Sequence, residues 1–391
     1  MKKIGVVANH RTINYGTMLQ AYATQMALTQ LGYKVETVNI DGLANEIYKK
    51  KLRYFNQELT KYEFFQTKYP ALKKAIQEKI DPAFARNIAL REGRFRKFRE
   101  SSFPTSEFCA DKAALTELSR TYDTVLVGSD QVWLPSNIAA DILTLSFVPD
   151  DINKVAFASS FGVPELPESM RERAKNFLNR IDSVSVREKS GRKLIERLTG
   201  REVPVVCDPT LLFPAKQWAD MMPPKQILDE PYIFCYFLGN NPYQRKFVKT
   251  FQKKSGLKIV SALHMDEYIK SDNNFPDYAP YDMGPEEFLN FLRHAQYIFT
   301  DSFHGAALST LHRKEFFVFY RFREGTAFST NTRIDSFFDL IGLKERLITT
   351  EASIENCPKI KSDFESALAS IERLRLESWS YLGKALKGEF K

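Results

Sequence analysis

The stretch TDSFHGAALSTLH (residues 300–312) sets a carboxylate, a hydroxyl, an imidazole and a glycine directly after the apolar run Tyr297, Ile298, Phe299. A buried strand that stops in small polar residues and turns into a small-residue helix offers backbone N–H groups and the positive end of a helix dipole. That combination suits a carboxylate or phosphate. Ser302 and Gly305 stand at the helix start, and an imidazole at position 304 fits either a proton carrier or a cationic clamp on an anion. The competing reading is a histidine packed against a backbone carbonyl, and it is the one adopted for His10, His264, His294 and His312. At His304 the crowding of Asp301, Ser302 and Gly305 around the same strand end favours chemistry.

Other strand ends carry residues of the same kind. In ANHRTINYGTMLQAYA, residues Asn14, Tyr15, Gly16 and Thr17 precede a helix, in a loop longer and more polar than capping alone requires. It is not GxGxxG, so the dinucleotide fingerprint is absent. TVLVGSDQVW ends in Gly128, Ser129 and Asp130. The glycine permits close approach, and Asp130 could accept a sugar hydroxyl's hydrogen bond or its proton, or could simply cap the next segment. Arg187 follows the run SVSV and Arg333 opens an apolar helical pattern in STNTRIDSFF; each is a planar fork that matches a carboxylate or phosphate. Asp208, before Pro209, reads as a structural turn.

The elements that hold these residues form a repeating series. KIGVVAN is a strand, LQAYATQMALTQLG an amphipathic helix ending at Gly32, and KVETVNID a strand, which together make a βαβ unit with parallel strands. TVLVGSD, KVAFASSFG, SVSVRE and VPVVCDPTL continue as short Val-rich runs, as strands buried on both faces do. After MMPPKQ a second series begins with YIFCYFLGN, then KIVSAL, YIFTDS and FFVFY. The expected fold is α/β, with two doubly wound Rossmann-like domains facing a cleft and a helical insert in the first. The boundaries read as 1–215 for the N-terminal domain with an insert at about 44–103, 216–360 for the C-terminal domain, and 361–391 for a helix packing across both. Ligands of such sheets bind beyond the carboxyl ends of the strands.

Composition agrees with a globular chain: of 391 residues, 43% are hydrophobic and 27% charged. No apolar run is long enough to span a bilayer, and MKKIGVVANH reads as a buried strand and not as a signal peptide. The cysteines Cys109, Cys207, Cys235 and Cys357 lack metal-site spacing and suit reduced core thiols of a cytoplasmic protein. The net charge of +8 is located in residues 44–103, where 15 Lys and Arg meet 7 Asp and Glu. Aromatic residues are interleaved with these cations. A helical insert with its aromatic face packed inward explains the pattern; contact with anionic lipid headgroups or a lipid-diphosphate is the sharper reading. No nucleic-acid motif is present.

Taken together, NYGTMLQAYA, VGSDQVW, AFASSFG, SVSVREKSG, CDPTLLF, TDSFHGAALS and NTRIDSFF resemble the polysaccharide pyruvyl transferase family, in the family's order over nearly the whole chain. The resemblance implies a GT-B-like fold and a metal-independent ketal pyruvyltransferase without a cofactor. Its donor substrate would be phosphoenolpyruvate, and its acceptor a hexose of a surface polysaccharide, such as an exopolysaccharide or capsule, or a lipid-linked precursor. It implies donor contacts at Arg187, Arg333, Ser302, His304 and Gly305, and acceptor contacts at Asn14, Tyr15, Gly16, Ser129 and Asp130. His304 and Asp130 would be catalytic, His304 as general acid or phosphate clamp. The composition of the basic insert, apart from the resemblance, leaves peripheral contact at the inner face of the membrane as the alternative to plain helical packing, and nucleic acid is not expected as a partner. Two other readings stay open: a nucleotide-sugar glycosyltransferase, and a non-catalytic partner in polysaccharide assembly.

Overall fold

The computed structural model describes residues 1–58, 61–322, 331–349, 354, 357 and 363–390, without the side chains of 61–68. The chain forms two compact units: Met1–Phe64 with Arg99–Leu212 and Glu372–Lys391, and Phe65–Phe98 with Phe213–Ile371.

In chain order the first series is β1 (Lys3–Val7), α1 (Tyr15–Gln30), β2 (Lys34–Thr37), α2 (Ala44–Glu58), α3 (Lys61–Ile80), α4 (Pro82–Ser102), α5 (Lys112–Ser119), β3 (Thr124–Val127), α6 (Pro135–Ala140), β4 (Asn153–Ser159), α7 (Glu168–Arg180), β5 (Ser183–Val186) and α8 (Lys189–Thr199). Its five strands are all parallel, in the order β2-β1-β3-β4-β5. Val125, Leu126, Val127, Val155 and Ala156 are fully buried, as strands covered on both faces require. The chain runs outward from β1 to β2 and then crosses back to β3, so the direction of winding reverses between β1 and β3. Val7 pairs with Val127, and the two loops that follow leave the sheet side by side.

The second series is α9 (Ala215–Met221), β6 (Tyr232–Tyr236), α10 (Pro242–Ser255), β7 (Lys258–Ser261), α11 (Pro285–His294), β8 (Tyr297–Thr300), α12 (Phe303–Leu311), β9 (Glu315–Phe319), α13 (Thr332–Ile341) and β10 (Leu347–Ile348). This sheet is also five-stranded and parallel, ordered β10-β9-β8-β6-β7. Read from the other edge it has the winding of the first sheet, and its reversal falls between β6 and β8, where Tyr236 pairs with Thr300. Its core is aromatic: Phe299 stacks on Phe317 at 5.4 Å and meets Phe251 edge-on at 5.1 Å.

The two-sheet α/β class holds. Three local expectations change. VPVVCDPTL is not a strand; it is extended and touches the sheet at one bridge, Val186 with Val205. Pro204 accepts from Val186 N but has no N–H of its own, so a ladder cannot continue. The helix α1 is buried over most of its surface and not along one stripe; its polar residues Gln20 and Thr24 bond backbone carbonyls of its own turns.

The insert expected wholly in the first domain is divided, because residues 65–98 belong to the second unit. There Arg91, only 3% exposed, donates to the carbonyls of Leu263, Pro280 and Tyr281, each at 3.1 Å. The C-terminal helix, Phe364–Lys387, starts in the second unit and continues into the first. Within the first unit Arg375 Nε donates to Leu211 O at 2.6 Å and Trp379 Nε1 to Leu212 O at 3.0 Å.

Candidate functional site

In the first unit the reversal between β1 and β3 gathers the residues singled out at two strand ends. Asn14 is the N-cap of α1, its side chain accepting from Thr17 N at 3.0 Å, so the capping role is realised. Tyr15 and Gly16 form the buried first turn. The loop after β3 presents Ser129 and Asp130. Asp130 has φ of 74°, a left-handed conformation that costs a non-glycine residue free energy and that the surrounding bonds must hold. Its C=O is tied to the end of β4 and the residue after it, through a bridge to Ser159 and with Ser160 N donating to Asp130 O at 3.0 Å. Thr17 Oγ1 donates to Asp130 Oδ2 at 2.7 Å, joining the α1 loop to the β3 loop.

Behind Asp130 lies a buried ion cluster. Arg187 Nη2 donates to Asp130 Oδ1 at 3.1 Å and Nη1 to Asp208 Oδ2 at 2.5 Å, while Nε lies 3.8 Å from Glu188 Oε2. Burial pulls the Arg187 pKa down, but Asp208, Asp130 and Glu188 more than offset it, so the guanidinium is held in its charged form above the ordinary value. Asp208 also accepts from Thr210 N at 3.0 Å and Thr210 Oγ1 at 2.8 Å, and Glu188 from Phe161 N at 3.2 Å. Ser129 Oγ sits 2.7 Å from Ala158 O and 3.3 Å from Asp208 Oδ2.

This geometry changes the part given to Arg187. The fork that could have gripped a donor anion already spans two carboxylates, and an added anion would meet those negative charges in a medium of low dielectric. Arg187 holds Asp130. Asp208 is the expected turn residue, capping the short 3-10 turn Pro209–Leu211, and carries an ion pair that sequence reasoning missed. Thr17 and Glu188 were also missed as partners, although each stands inside a motif already singled out.

In the second unit the reversal between β6 and β8 gathers a second group. Ser302 is the N-cap of α12, accepting from Gly305 N at 3.4 Å. His304 lies in the first turn, 5% exposed, edge-on to Phe303. Gly305 is required by packing, since a Cβ there would come within 2.5 Å of Thr300 Oγ1. That hydroxyl donates to Tyr236 O at 2.6 Å and accepts from Ser302 N at 3.0 Å. Asp301 is a clamp: it accepts from Leu238 N at 2.7 Å, Gly239 N at 2.9 Å and Gln244 Nε2 at 3.3 Å, stitching the β6 loop to the β8 loop. The small residues ending YIFCYFLGN were the signal for that partner loop.

Arg333 is buried in the first turn of α13, which packs on α12 through Phe303 and Phe337 at 5.5 Å. The expected donor set is thus divided: Ser302, His304, Gly305 and Arg333 belong to the second unit and Arg187 to the first. The expected acceptor set, Asn14, Tyr15, Gly16, Ser129 and Asp130, lies together in the first. Among the described residues no cluster of His, Cys, Asp or Glu could hold a metal ion.

The model of the family described as polysaccharide pyruvyl transferase matches residues 14–321, from the N-cap of α1 past the end of β9. The chain belongs to the polysaccharide pyruvyl transferase family. Both strand-end groups fall inside the matched stretch except Arg333, which lies beyond it. No curated protein matches the sequence significantly. Similar solved structures include the UDP-GlcNAc 2-epimerase of Methanocaldococcus jannaschii in complex with UDP-GlcNAc and UDP, at 11% identity over 92% of this chain and 99% of that one with a TM-score of 0.43. They also include MurG of Acinetobacter baumannii, at 9% identity over 99% of each chain with a TM-score of 0.45. A third is the UDP-N-acetylglucosamine 2-epimerase of Rickettsia bellii, at 10% over 98% of each with a TM-score of 0.46. The family places the chain among pyruvyl transferases of polysaccharide biosynthesis.

Proposed function

We propose that this transferase moves the enolpyruvyl group of phosphoenolpyruvate onto a hexose of a surface polysaccharide, or of its lipid-linked precursor, and closes a cyclic pyruvate ketal. Besides the family, one observation carries the reading: the second sheet's winding reversal presents the N-terminus of α12, with Ser302 as cap and His304 in its first turn, beside a helix whose first turn holds Arg333. A donor with a carboxylate and a phosphate calls for a cation and a helix start.

The chemistry sets the roles. Protonation of the donor's C3 makes C2 electrophilic, a sugar hydroxyl adds to C2, and the C2–O bond to phosphate breaks. A second hydroxyl then closes the ketal. Of the two hydroxyl protons released, one balances the proton taken up at C3 and the other leaves with phosphate. His304 serves as the acid for C3 or as the phosphate clamp, and Arg333 holds charge on the donor.

Asp130 accepts the proton of the attacking hydroxyl. Thr17 and Arg187 fix its orientation, while Asn14, Tyr15, Gly16 and Ser129 shape the acceptor side. No cofactor or metal enters this scheme. A phosphoenolpyruvate donor and reduced, buried cysteines suit a cytoplasmic protein.

The test is phosphate release from phosphoenolpyruvate with a panel of hexosides, followed by NMR of the product. A new ketal methyl signal is expected with at least one acceptor, and its loss in His304→Ala with an unchanged melting curve. Near-normal turnover of His304→Ala removes that residue's role. Thermal stabilisation by UDP or GDP and not by phosphoenolpyruvate replaces the reading with nucleotide-sugar transfer.

A further inference from the structure

From Tyr69 to Ile80 the helix α3 is inside out. From Tyr69 onward its exposed residues are Tyr69, Ala71, Leu72, Ala75, Ile76, Lys79 and Ile80, all apolar but one. Tyr69 is 49% exposed, Leu72 55%, Ile76 51% and Ile80 69%. At 3.6 residues per turn these four fall within about 80° of one another around the axis, a continuous stripe.

Apart from Lys79, the polar residues of this stretch are half-buried. Lys74 pairs with Glu78 at 3.4 Å, Gln77 donates to Asp81 at 3.1 Å, and Lys73 lies over the Tyr268 ring at 5.5 Å. A surface helix normally buries its apolar side. Here the half-buried side is the charged one and water faces leucine and isoleucine. Isolated exposed apolar residues need no account, but an aligned row of them marks a contact surface.

Charge selects the occupant. Residues 65–98 carry nine Lys and Arg against three Asp and Glu, six of the chain's net charge of +8. On α4, Arg86, Arg96, Lys97 and Leu90 are exposed as well. An apolar stripe carrying the exposed Lys79, on a segment with this excess of cations, fits the boundary between anionic headgroups and acyl chains, where the side chains enter the hydrocarbon and Lys and Arg meet phosphate. Among the described residues no helix is long and apolar enough to cross a membrane, so the contact is a surface one.

We infer that the outward face of α3, with Tyr69, Leu72, Ile76 and Ile80 as its apolar row, docks the protein on an anionic membrane surface. This rests on no assumption about the reaction, and it gives the basic segment a defined contact face.

The experiment uses the full chain and vesicles of phosphatidylcholine, alone or mixed with phosphatidylglycerol. Sedimentation with the mixed vesicles is expected, weakened by high salt, and at least about tenfold weaker in the double variant Leu72→Glu/Ile76→Glu. Arg86→Ser/Arg96→Ser/Lys97→Ser should reduce the preference for phosphatidylglycerol with the apolar row intact. Both variants should melt as the parent does, because the changed side chains are exposed, and turnover on a soluble hexoside should be unchanged. No binding by the parent, or equal binding by Leu72→Glu/Ile76→Glu, overturns the proposal. So does a parent dimer by light scattering that dissociates in that variant without any vesicle binding. Failure of pyruvyl transfer on every acceptor would leave the vesicle result standing.

Discussion

Replacing Arg187 with methionine tests whether the first unit's site depends on a buried counter-ion. The side chain is 2% exposed and donates to Asp208 at 2.5 Å and Asp130 at 3.1 Å. Two charge-assisted hydrogen bonds contribute about 1.5–3 kcal/mol each, and breaking a buried pair by removing one partner costs about 3–5 kcal/mol. Both routes lead to a loss of about 4 kcal/mol at pH 7. In the parent, a guanidinium whose pKa is held above its ordinary value contributes stability that is fully present throughout the neutral range, so the titration of Arg187 itself adds no pH dependence between pH 5 and 8. In the variant the carboxyls left behind lose their cation, and repulsion and burial raise their pKa. Their penalty is then present above the carboxylates' unfolded range and fades as pH falls, so the deficit at pH 5 should be smaller than at pH 7 by about 1 kcal/mol or more. Arg187→Lys, with one ammonium for two carboxylates, should fall between. Urea unfolding of parent and variants at both pH values measures this. A deficit below about 1 kcal/mol at pH 7, or an equal deficit at pH 5, would refute the assignment of Arg187 as the group that holds Asp130.

Gly305→Ala drives a Cβ to within 2.5 Å of Thr300 Oγ1 and should cost about 1–3 kcal/mol while weakening stabilisation by phosphoenolpyruvate; an unchanged melting temperature would contradict it. Arg91→Met removes three bonds to carbonyls and should speed amide exchange in α4 and around Leu263 and Tyr281, whereas parent-like protection there would show that α4 docks without it. The four cysteines are buried, and burial pushes Cys207 and Cys357 up to about 12, so no thiol should react quickly with a disulfide reagent at pH 8 until the protein unfolds.

What could be read from the sequence followed local rules. Val-rich runs ending in small polar residues announce parallel strands, because buried strands need apolar side chains on both faces and a turn at the end. The same rule found the loops at Asn14, Asp130 and Ser302, which the structure puts at the winding reversals of their own sheets. It failed where one residue broke the ladder, at Pro204, and where polar residues of α1 were buried by bonding their own helix. The insert was placed by its position between strands of the first series, but the anchor of α4, Arg91, finds its carbonyls about 170 to 190 residues further along.

The motifs by themselves determined the family and the positions of the chemistry-bearing strand ends, since both are properties of short segments. Strand order alone decided partnership. Arg187 reaches Asp130, 57 residues away, and Asp208, 21 residues away, because parallel winding brings those strand ends to one edge of the sheet. A guanidinium shut away from water is then claimed by carboxylates, and no pattern in VREKSG distinguishes it from one that waits for a ligand. Nor does the spacing of Leu72, Ile76 and Ile80 say which way they face. Packing turned the charged side of α3 inward and left the apolar one to solvent.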